Sequence, residues 1–325
     1  MSAFSQGLRA LRQHVSRSTY GRFRLHHTQA SQKSTTSAQY ALGLLSFVKY
    51  LDLLNDLVDW LGPKMVHVYL LDRLNWRSIL ELMELIETLP TGYDCKFHDY
   101  AAVCHCNNLL LPHQFYCGMP DTVVCRKCIA LDEQVEEYVD PDEPRQRFAA
   151  FLSGARRVFG PSDDVVERLG GRLPFANAVV RPHEEAPPAF PLPARTKNNG
   201  KVLSIALVGA IEPHKGADVI YNLALDAQLP DLPIRFTIVG YFSNTETMSK
   251  VDVRETGLYQ SEEEALAQLR KLGPDVIFLP SIWPETYCYT LSLALAAGIP
   301  PVVFDIGAHA ERLVVTGEGA WLDLN

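Results

Sequence analysis

The sequence lacks the features that would mark several broad classes of protein. No apolar run in its 325 residues reaches membrane-spanning length, because acidic or basic residues interrupt each candidate. No apolar core of a secretory signal follows Met1. The net charge of -8 leaves no cationic excess for general nucleic-acid binding. These absences argue against a membrane-spanning, secreted or nucleic-acid-binding protein.

Cysteine is scarce outside one short segment, 104–128, which holds five of the seven cysteines. A disulfide scaffold would spread them through the chain, so we predict a reducing, cytoplasmic location. A C-x2-C pair with two nearby thiolates can form a tetrahedral zinc site, which would be structural because it leaves no open position. The alternative is a set of buried small residues and free thiols. The predicted ligands are Cys104, Cys117, Cys125 and Cys128, with Cys106 as a substitute.

The first 38 residues contain no acidic residue and no proline, but arginine recurs through them. Such a start is typical of organelle transit peptides, which would make the protein organellar. A poorly ordered start or an amphipathic surface helix explains the same composition. Both readings stay open at this point.

Strand-like and helix-like segments alternate along most of the chain. Leucines recur at helical spacing over residues 38–61, and the apolar segment 64–71 predicts a buried strand. The alternation continues to residue 180 and resumes at residue 202, which predicts an α/β fold. The proline-rich segment 184–200 has the composition of a linker.

Four parts of the chain follow from this pattern. The two larger parts each carry the alternation expected of a Rossmann-like domain. The predicted parts are a poorly ordered or amphipathic segment (1–38), a Rossmann-like domain with a Cys-rich loop at 104–128 (39–183), a linker (184–200) and a second Rossmann-like domain (201–325).

The segment 280–312 has the order of elements with which a doubly wound sheet binds a ligand. An apolar strand at 276–279 leads into the polar turn 283–286 (WPET), and a small-residue helix follows at 290–297. The helix start offers N–H groups and a positive dipole end to a diphosphate. Glu285 can accept hydrogen bonds from sugar hydroxyls, and it can equally cap the helix.

The ordered motifs resemble those of GT-B glycosyltransferases of glycosyltransferase family 4, the group 1 glycosyltransferases. Segment 207–216 (LVGAIEPHKG) resembles the family's loop for the donor diphosphate, and 284–287 (PETY) resembles the start of its paired-glutamate motif. Segment 297–300 (AGIP) resembles the end of that motif, and 97–99 (FHD) resembles an acceptor-domain strand end. The resemblance extends from about residue 63 to residue 313.

The resemblance implies a retaining hexosyltransferase with a nucleotide-sugar donor and a glycan or lipid-linked acceptor. It implies a role in surface polysaccharide synthesis, peripheral contact with the inner face of the membrane, and no cofactor for catalysis. The first domain would serve the acceptor and the second the donor nucleotide. The implied catalytic residues are His98 and Glu285, and the implied donor-binding residues are Gly209, Lys215, Gly216, Thr286, Tyr287, Thr290 and Glu311.

The sequence departs from the family pattern at several points. Ala210 stands where the family has an arginine for phosphate, and Leu293 stands where it has the second glutamate. The family's first strand and closing helices are not visible, so we expect an incomplete first domain and a shortened second one. These departures support an alternative function, a catalytically inactive relative that binds a nucleotide or glycan or acts as a scaffold. A sugar-nucleotide epimerase of the same fold ranks last.

Overall fold

The computed structural model describes residues 22–28, 35–41, 66–69, 76–111, 115–133, 135, 138–183, 202–228 and 232–324. Contacts between Cα atoms divide the chain into two compact units. The first contains residues 1–64 and 77–89, and the second contains residues 65–76 and 90–325. Both parallel sheets and every candidate site residue belong to the second unit.

The first unit contains an antiparallel pair of strands, β1 (Arg22–Thr28) and β2 (Thr35–Ala41). We expected a poorly ordered or helical segment up to residue 38 and a helix over 38–61. The start of that helix lies in β2, and residues 42–61 fall outside the described residues. Phe23 and Leu25 alternate with arginines along β1, a period of two that suits a strand.

Helix α1 (Trp76–Thr88) confirms the helix expected at 78–88. Its buried residues Ile79, Met83 and Ile86 recur every three or four positions, which places them on one face. No helix in the described part of the chain is long and apolar enough to cross a bilayer.

The first half of the second unit is built on a four-stranded parallel sheet of order β3-β4-β7-β8. The cysteine spacing predicts a loop over residues 104–128, but this segment includes a short hairpin and a helix. In chain order the elements are β3 (Val66–Tyr69), β4 (Tyr93–Lys96), β5 (Leu110–Leu111), β6 (Phe115–Tyr116), α2 (Thr122–Leu131), α3 (Asp142–Gly154), β7 (Arg157–Gly160), α4 (Asp163–Gly170) and β8 (Ala178–Val180).

The second half contains a six-stranded parallel sheet of order β11-β10-β9-β12-β13-β14. The order reverses between β9 and β12, which creates a switch point at the centre of the sheet. The elements are β9 (Leu203–Ile211), α5 (Ala217–Gln228), β10 (Ile234–Phe242), α6 (Thr245–Met248), β11 (Val253–Glu255), α7 (Glu262–Leu272), β12 (Val276–Leu279), α8 (Tyr289–Ala297), β13 (Pro301–Phe304), α9 (Gly307–Thr316) and β14 (Ala320–Leu322).

Strand β9 is buried on both faces, which explains its nearly continuous apolar sequence. Ala206 and Val208 join a core cluster that includes residues of α7 and α8. Leu207 and Ile211 join the opposite cluster, with residues of α5. This packing fixes the carboxyl end of β9 beside that of β12, where the candidate site lies.

Candidate functional site

The candidate site lies where the chain leaves the two central strands of the six-stranded sheet. A 3-10 turn at Pro213–Lys215 follows β9, and the loop 280–288 connects β12 to α8. The two loops contact each other directly, because the Ile282 N–H donates to the His214 carbonyl at 3.2 Å. Ligands of doubly wound sheets bind at such a switch point.

Lys215 and Glu285 meet between these loops. The Lys215 Nζ lies 2.7 Å from the Glu285 Oε1, and the two side chains are 33% and 4% exposed. Burial lowers the pKa of Lys215, but the Glu285 carboxylate more than offsets it, so the net pKa lies above the ordinary value. Burial raises the pKa of Glu285, but Lys215 and then His309 bring the net pKa below the ordinary value. Both groups are therefore charged at neutral pH.

Two glycines allow neighbouring backbone segments to lie very close to the loop 280–288. Gly216 has a φ of 82°, and a Cβ there would collide with the Pro280 carbonyl. Gly307 has a φ of 70°, and a Cβ there would lie 2.6 Å from the Pro284 Cα and 2.7 Å from the Glu285 backbone nitrogen. Only glycine tolerates both the positive φ and the close contact.

Gly209 and Thr290, both predicted donor-binding residues, lie beside each other at the edge of this region. A Cβ on Gly209 would lie 3.3 Å from the Thr290 Cγ2. The Thr290 hydroxyl contacts the Cys288 sulfur at 3.3 Å, just before the first turn of α8. The start of α8 therefore lies against the end of β9.

His309 also belongs to the site, although no sequence motif predicts it. Its side chain is fully buried in α9, and neither ring nitrogen has a hydrogen-bond partner among the described residues. Burial lowers its pKa, although Glu285 acts in the opposite direction. Nearby, the Trp283 Nε1 also has no partner in the described part of the chain. The only sequence signal for His309 is its position two residues after the glycine that starts α9.

Two predicted residues instead connect the two halves of the second unit. The Thr286 hydroxyl donates to the His98 carbonyl at 2.6 Å, so it does not face the Lys215–Glu285 pair as a free donor. The Tyr287 ring packs edge-on against His183, with ring centroids 4.4 Å apart, and its hydroxyl has no partner among the residues described. Sequence reasoning missed His183, which lies just beyond β8.

His98 lies in a cationic region beside the same contacts. Its ring stacks on that of His183 at 5.7 Å, and the Lys96 Nζ lies 3.2 Å from the His183 Nδ1. Burial lowers the pKa of His98 to about 4, and the charges of Lys96 and His183 act in the same direction. The imidazole is therefore neutral at neutral pH, and it can donate or accept a hydrogen bond without carrying charge.

Glu311 contacts the other half of the second unit. Its two carboxylate oxygens accept from the backbone N–H groups of Asp163 and Asp164, at 3.2 and 2.8 Å. These donors form the first turn of α4, so Glu311 caps a helix in the other half of the unit. Its carboxylate is engaged by these backbone donors in this structure, and the donor-binding role stays a prediction.

The predicted zinc ligands come together around a second region, in the first half of the unit. All seven cysteines are described, and none forms a disulfide. A cavity of about 40 Å³ is lined by the four predicted ligands, whereas Cys106 contacts His105 at 3.1 Å instead. These four ligands are Cys104, Cys117, Cys125 and Cys128.

Known structures with sugar-transferring names resemble this fold. The sucrose-phosphate synthase of Thermosynechococcus elongatus aligns with a TM-score of 0.56 and 16% identity, over 88% of this chain and 68% of the synthase. The UDP-forming α,α-trehalose-phosphate synthase of Burkholderia vietnamiensis gives 0.52 and 12%, over 86% and 68%. TarM gives 0.53 and 10%, over 92% of this chain and 53% of TarM.

These similarities confirm the predicted fold class, an α/β protein with two Rossmann-like halves arranged as in GT-B enzymes. At such low identity they show the fold alone. No protein-family model matches the sequence, and no curated protein matches it significantly. Membership of glycosyltransferase family 4 therefore stays a prediction.

Proposed function

We propose that this protein is a glycosyltransferase that moves a sugar from a nucleotide-sugar donor to a glycan or lipid-linked acceptor. The supporting observation is the Lys215–Glu285 pair at the switch point of a parallel sheet. The Trp283 ring centroid lies 6.0 Å from the Lys215 Nζ, and His309 acts electrostatically on Glu285. Both side chains carry buried nitrogen atoms that have no partner among the described residues. Buried polar groups are normally hydrogen-bonded, so these atoms are suited to a polar ligand.

The donor diphosphate would lie between two cations and the start of α8. Lys215 supplies one mobile point charge. Arg312 supplies a second, because its guanidinium donates to the Cys288 carbonyl at 2.7 Å and to the Ser292 hydroxyl at 3.0 Å. These bonds hold Arg312 against the first turns of α8. In this proposal Arg312 would take the place of the phosphate-binding cation that is missing at Ala210.

Glu285 would orient the transferred sugar. Its lowered pKa keeps it an acceptor for sugar hydroxyls at neutral pH. His98, which is neutral, would contact the sugar from the other half of the unit. The leaving diphosphate would be stabilised electrostatically by Lys215 and the helix start, without a metal step. We propose retention of anomeric configuration and a role in surface polysaccharide synthesis at the cytoplasmic face of a membrane, because the family 4 resemblance implies both.

A second candidate function is a catalytically inactive binding or scaffold protein. Leu293 favours it, because this residue is only 6% exposed and belongs to the hydrophobic core, where the family resemblance expects a carboxylate. Such a protein would bind a nucleoside diphosphate or glycan and turn nothing over.

Hydrolysis of a panel of nucleotide sugars by the purified full chain separates the two functions. We expect slow release of nucleoside diphosphate from one donor, with the anomeric configuration of the product retained. Glu285→Gln and Lys215→Met should each lower the rate about 100-fold, as expected for groups that stabilise developing charge. Exposed Glu318 provides a matched control, and Glu318→Gln should leave the rate unchanged. Binding of a nucleoside diphosphate or a glycan without turnover of any donor would favour the inactive binding protein, and absence of binding to every nucleotide and glycan tested would exclude both.

A further inference from the structure

The cysteine segment folds into three pieces that meet at one cavity. Cys104 lies in the turn after β4, and Cys117 directly follows the β5–β6 hairpin. Cys125 and Cys128 lie on α2 three positions apart, so they share one face of that helix. The fold therefore brings together thiols that are up to 24 positions apart in sequence, which is how a structural metal site is assembled.

The cavity suits an ion in size and in lining. It measures about 40 Å³, more than the roughly 10–15 Å³ that a single water molecule needs. The lining also includes the almost fully buried apolar residues Leu109, Leu110 and Ile129. His105 and the cationic side chains of Arg145 and Arg172 line it as well. No hard oxygen ligand lines this cavity, and such a donor set favours a thiophilic metal.

Hydrogen bonds hold two of the sulfur atoms in place. The Met119 N–H donates to the Cys117 Sγ at 3.4 Å, in a turn where Gly118 and Met119 both have positive φ. The Arg145 Nη2 donates to the Cys125 Sγ at 3.1 Å. Arg145 also donates to the Val103 carbonyl at 3.1 and 2.9 Å, next to Cys104. Donors around the ligands of this kind orient metal sites.

A competing ligand set shares the lining of the cavity, because Cys104 and His105 both belong to it. The ligand atoms of Cys104, His105 and Cys106 all lie within 4.8 Å of one another. However, the His105 Nε2 already pairs with the Asp132 Oδ2 at 3.0 Å, and Cys106 contacts both residues. Three consecutive residues also give fewer ligands than the four that zinc takes in structural sites. Cys104 is common to both sets, so Cys106 and Cys117 distinguish them.

We propose that Cys104, Cys117, Cys125 and Cys128 bind one zinc ion as a closed, structural four-thiolate site. Each thiol loses its proton to solvent on binding, so four thiolates and Zn²⁺ leave a net charge of about -2, which Arg145 partly offsets. A Zn–S distance of about 2.3 Å places the sulfur atoms about 3.8 Å apart, so the cavity contracts onto the ion. The metal would join the turn after β4, the β5–β6 hairpin and α2.

Metal content of the purified full chain tests this proposal. We expect about one zinc ion per chain by mass spectrometry of the metal. Cobalt exchanged into the site should give the intense visible absorption of tetrahedral cobalt–thiolate coordination, a readout independent of any enzymatic activity. Less than a small fraction of one ion per chain after incubation with zinc, or cobalt without that absorption, would overturn the proposal.

Variants identify the ligands. Cys117→Ser and Cys128→Ser should each weaken zinc affinity at least tenfold, measured by competition with a chromogenic chelator. Cys106→Ser is the matched control and should retain the wild-type affinity. Loss of zinc in Cys106→Ser with retention in Cys117→Ser would overturn the quartet in favour of the competing set. If a serine variant does not fold, the number of thiols protected from alkylation by zinc in the wild type decides instead, with four protected thiols expected and any smaller number contradicting the proposal.

Discussion

Lys215 and Glu285 illustrate how much a single buried pair can constrain a site. Glu285 is almost fully buried, and its charge is tolerated because Lys215 lies at hydrogen-bond distance. Removing both charges of a buried pair is often nearly neutral for stability, whereas removing one leaves an uncompensated charge and costs about 3–5 kcal/mol. The pair can therefore be tested for function separately from stability.

The first prediction concerns this pair. Lys215→Met alone should lower the free energy of unfolding by about 3 kcal/mol, the low end of that range, because the lysine is partly exposed. The double variant Lys215→Met with Glu285→Gln should recover most of that loss in urea denaturation. Donor hydrolysis should not recover, because both charges act on the ligand. Recovery of both stability and hydrolysis would instead show that the pair is only structural.

The second prediction concerns His98 and pH. Its pKa falls to about 4 in the folded protein, against 6.5 for an ordinary histidine. Between these values the unfolded chain binds a proton that folded His98 does not, so stability decreases as pH falls through this window. His98→Asn should flatten the decrease in melting temperature between about pH 6.5 and pH 4. A variant with the same pH dependence as the wild type would show that His98 is not desolvated.

At the scale of elements, α9 positions the site through its first residue. Gly307 starts the helix against the loop that carries Glu285, and the Ala308 N–H donates to the Glu285 carbonyl at 2.9 Å. Gly317 ends the same helix, also with a positive φ, but nothing lies within 4 Å of the Cβ it lacks. A substitution at Gly317 therefore tests the cost of the positive φ alone, whereas a substitution at Gly307 adds a steric clash.

The third prediction compares these two glycines. Gly317→Ala should cost about 1–2 kcal/mol of stability, from the positive φ alone, and should leave donor hydrolysis unchanged. Gly307→Ala should cost more, because its Cβ would displace the backbone at Pro284 and Glu285, and hydrolysis should decrease with it. Unfolding in urea and donor hydrolysis measure the two effects. Equal costs for the two variants would mean that the loop accommodates a methyl group.

Some elements can be predicted from the sequence and others cannot. The strands β9 and β12 could be predicted from continuous apolar runs, and the meeting of Lys215 with Glu285 followed from their positions after adjacent strands. Helix α2 was missed because the cysteine spacing suggested a metal loop, although the residues between the cysteines are good helix formers. His309 could not be identified, because the sequence does not say which way a helical side chain points.

At the scale of the whole molecule, Glu311 connects segments about 150 positions apart, from α9 to the first turn of α4. The family resemblance implies a donor-binding role for Glu311, because the family pattern has a glutamate there. The tertiary contact depends on how the two halves of the second unit pack, which no local pattern encodes. The same reason explains why the contact between Thr286 and His98 was not foreseen.

The fourth prediction tests the role of Glu311. Glu311→Ala should lower the free energy of unfolding by about 1 kcal/mol, the usual cost of losing a helix cap. Glu311→Gln, which keeps one acceptor oxygen, should lose less. Steady-state hydrolysis then provides the counter-test. If the donor KM rises in Glu311→Gln while stability is unchanged, the residue contacts the donor after all.

The Lys215–Glu285 pair has a thermodynamic consequence for selectivity. When a free nucleoside diphosphate binds Lys215, the buried Glu285 carboxylate loses its partner. When a free sugar binds Glu285, the Lys215 ammonium group loses its partner. An intact sugar nucleotide provides a partner for both groups at once, so its two ends should bind cooperatively. The binding free energies of the two separate fragments should therefore add up to less than that of the intact donor. A site with this property should release its products readily and should show little product inhibition.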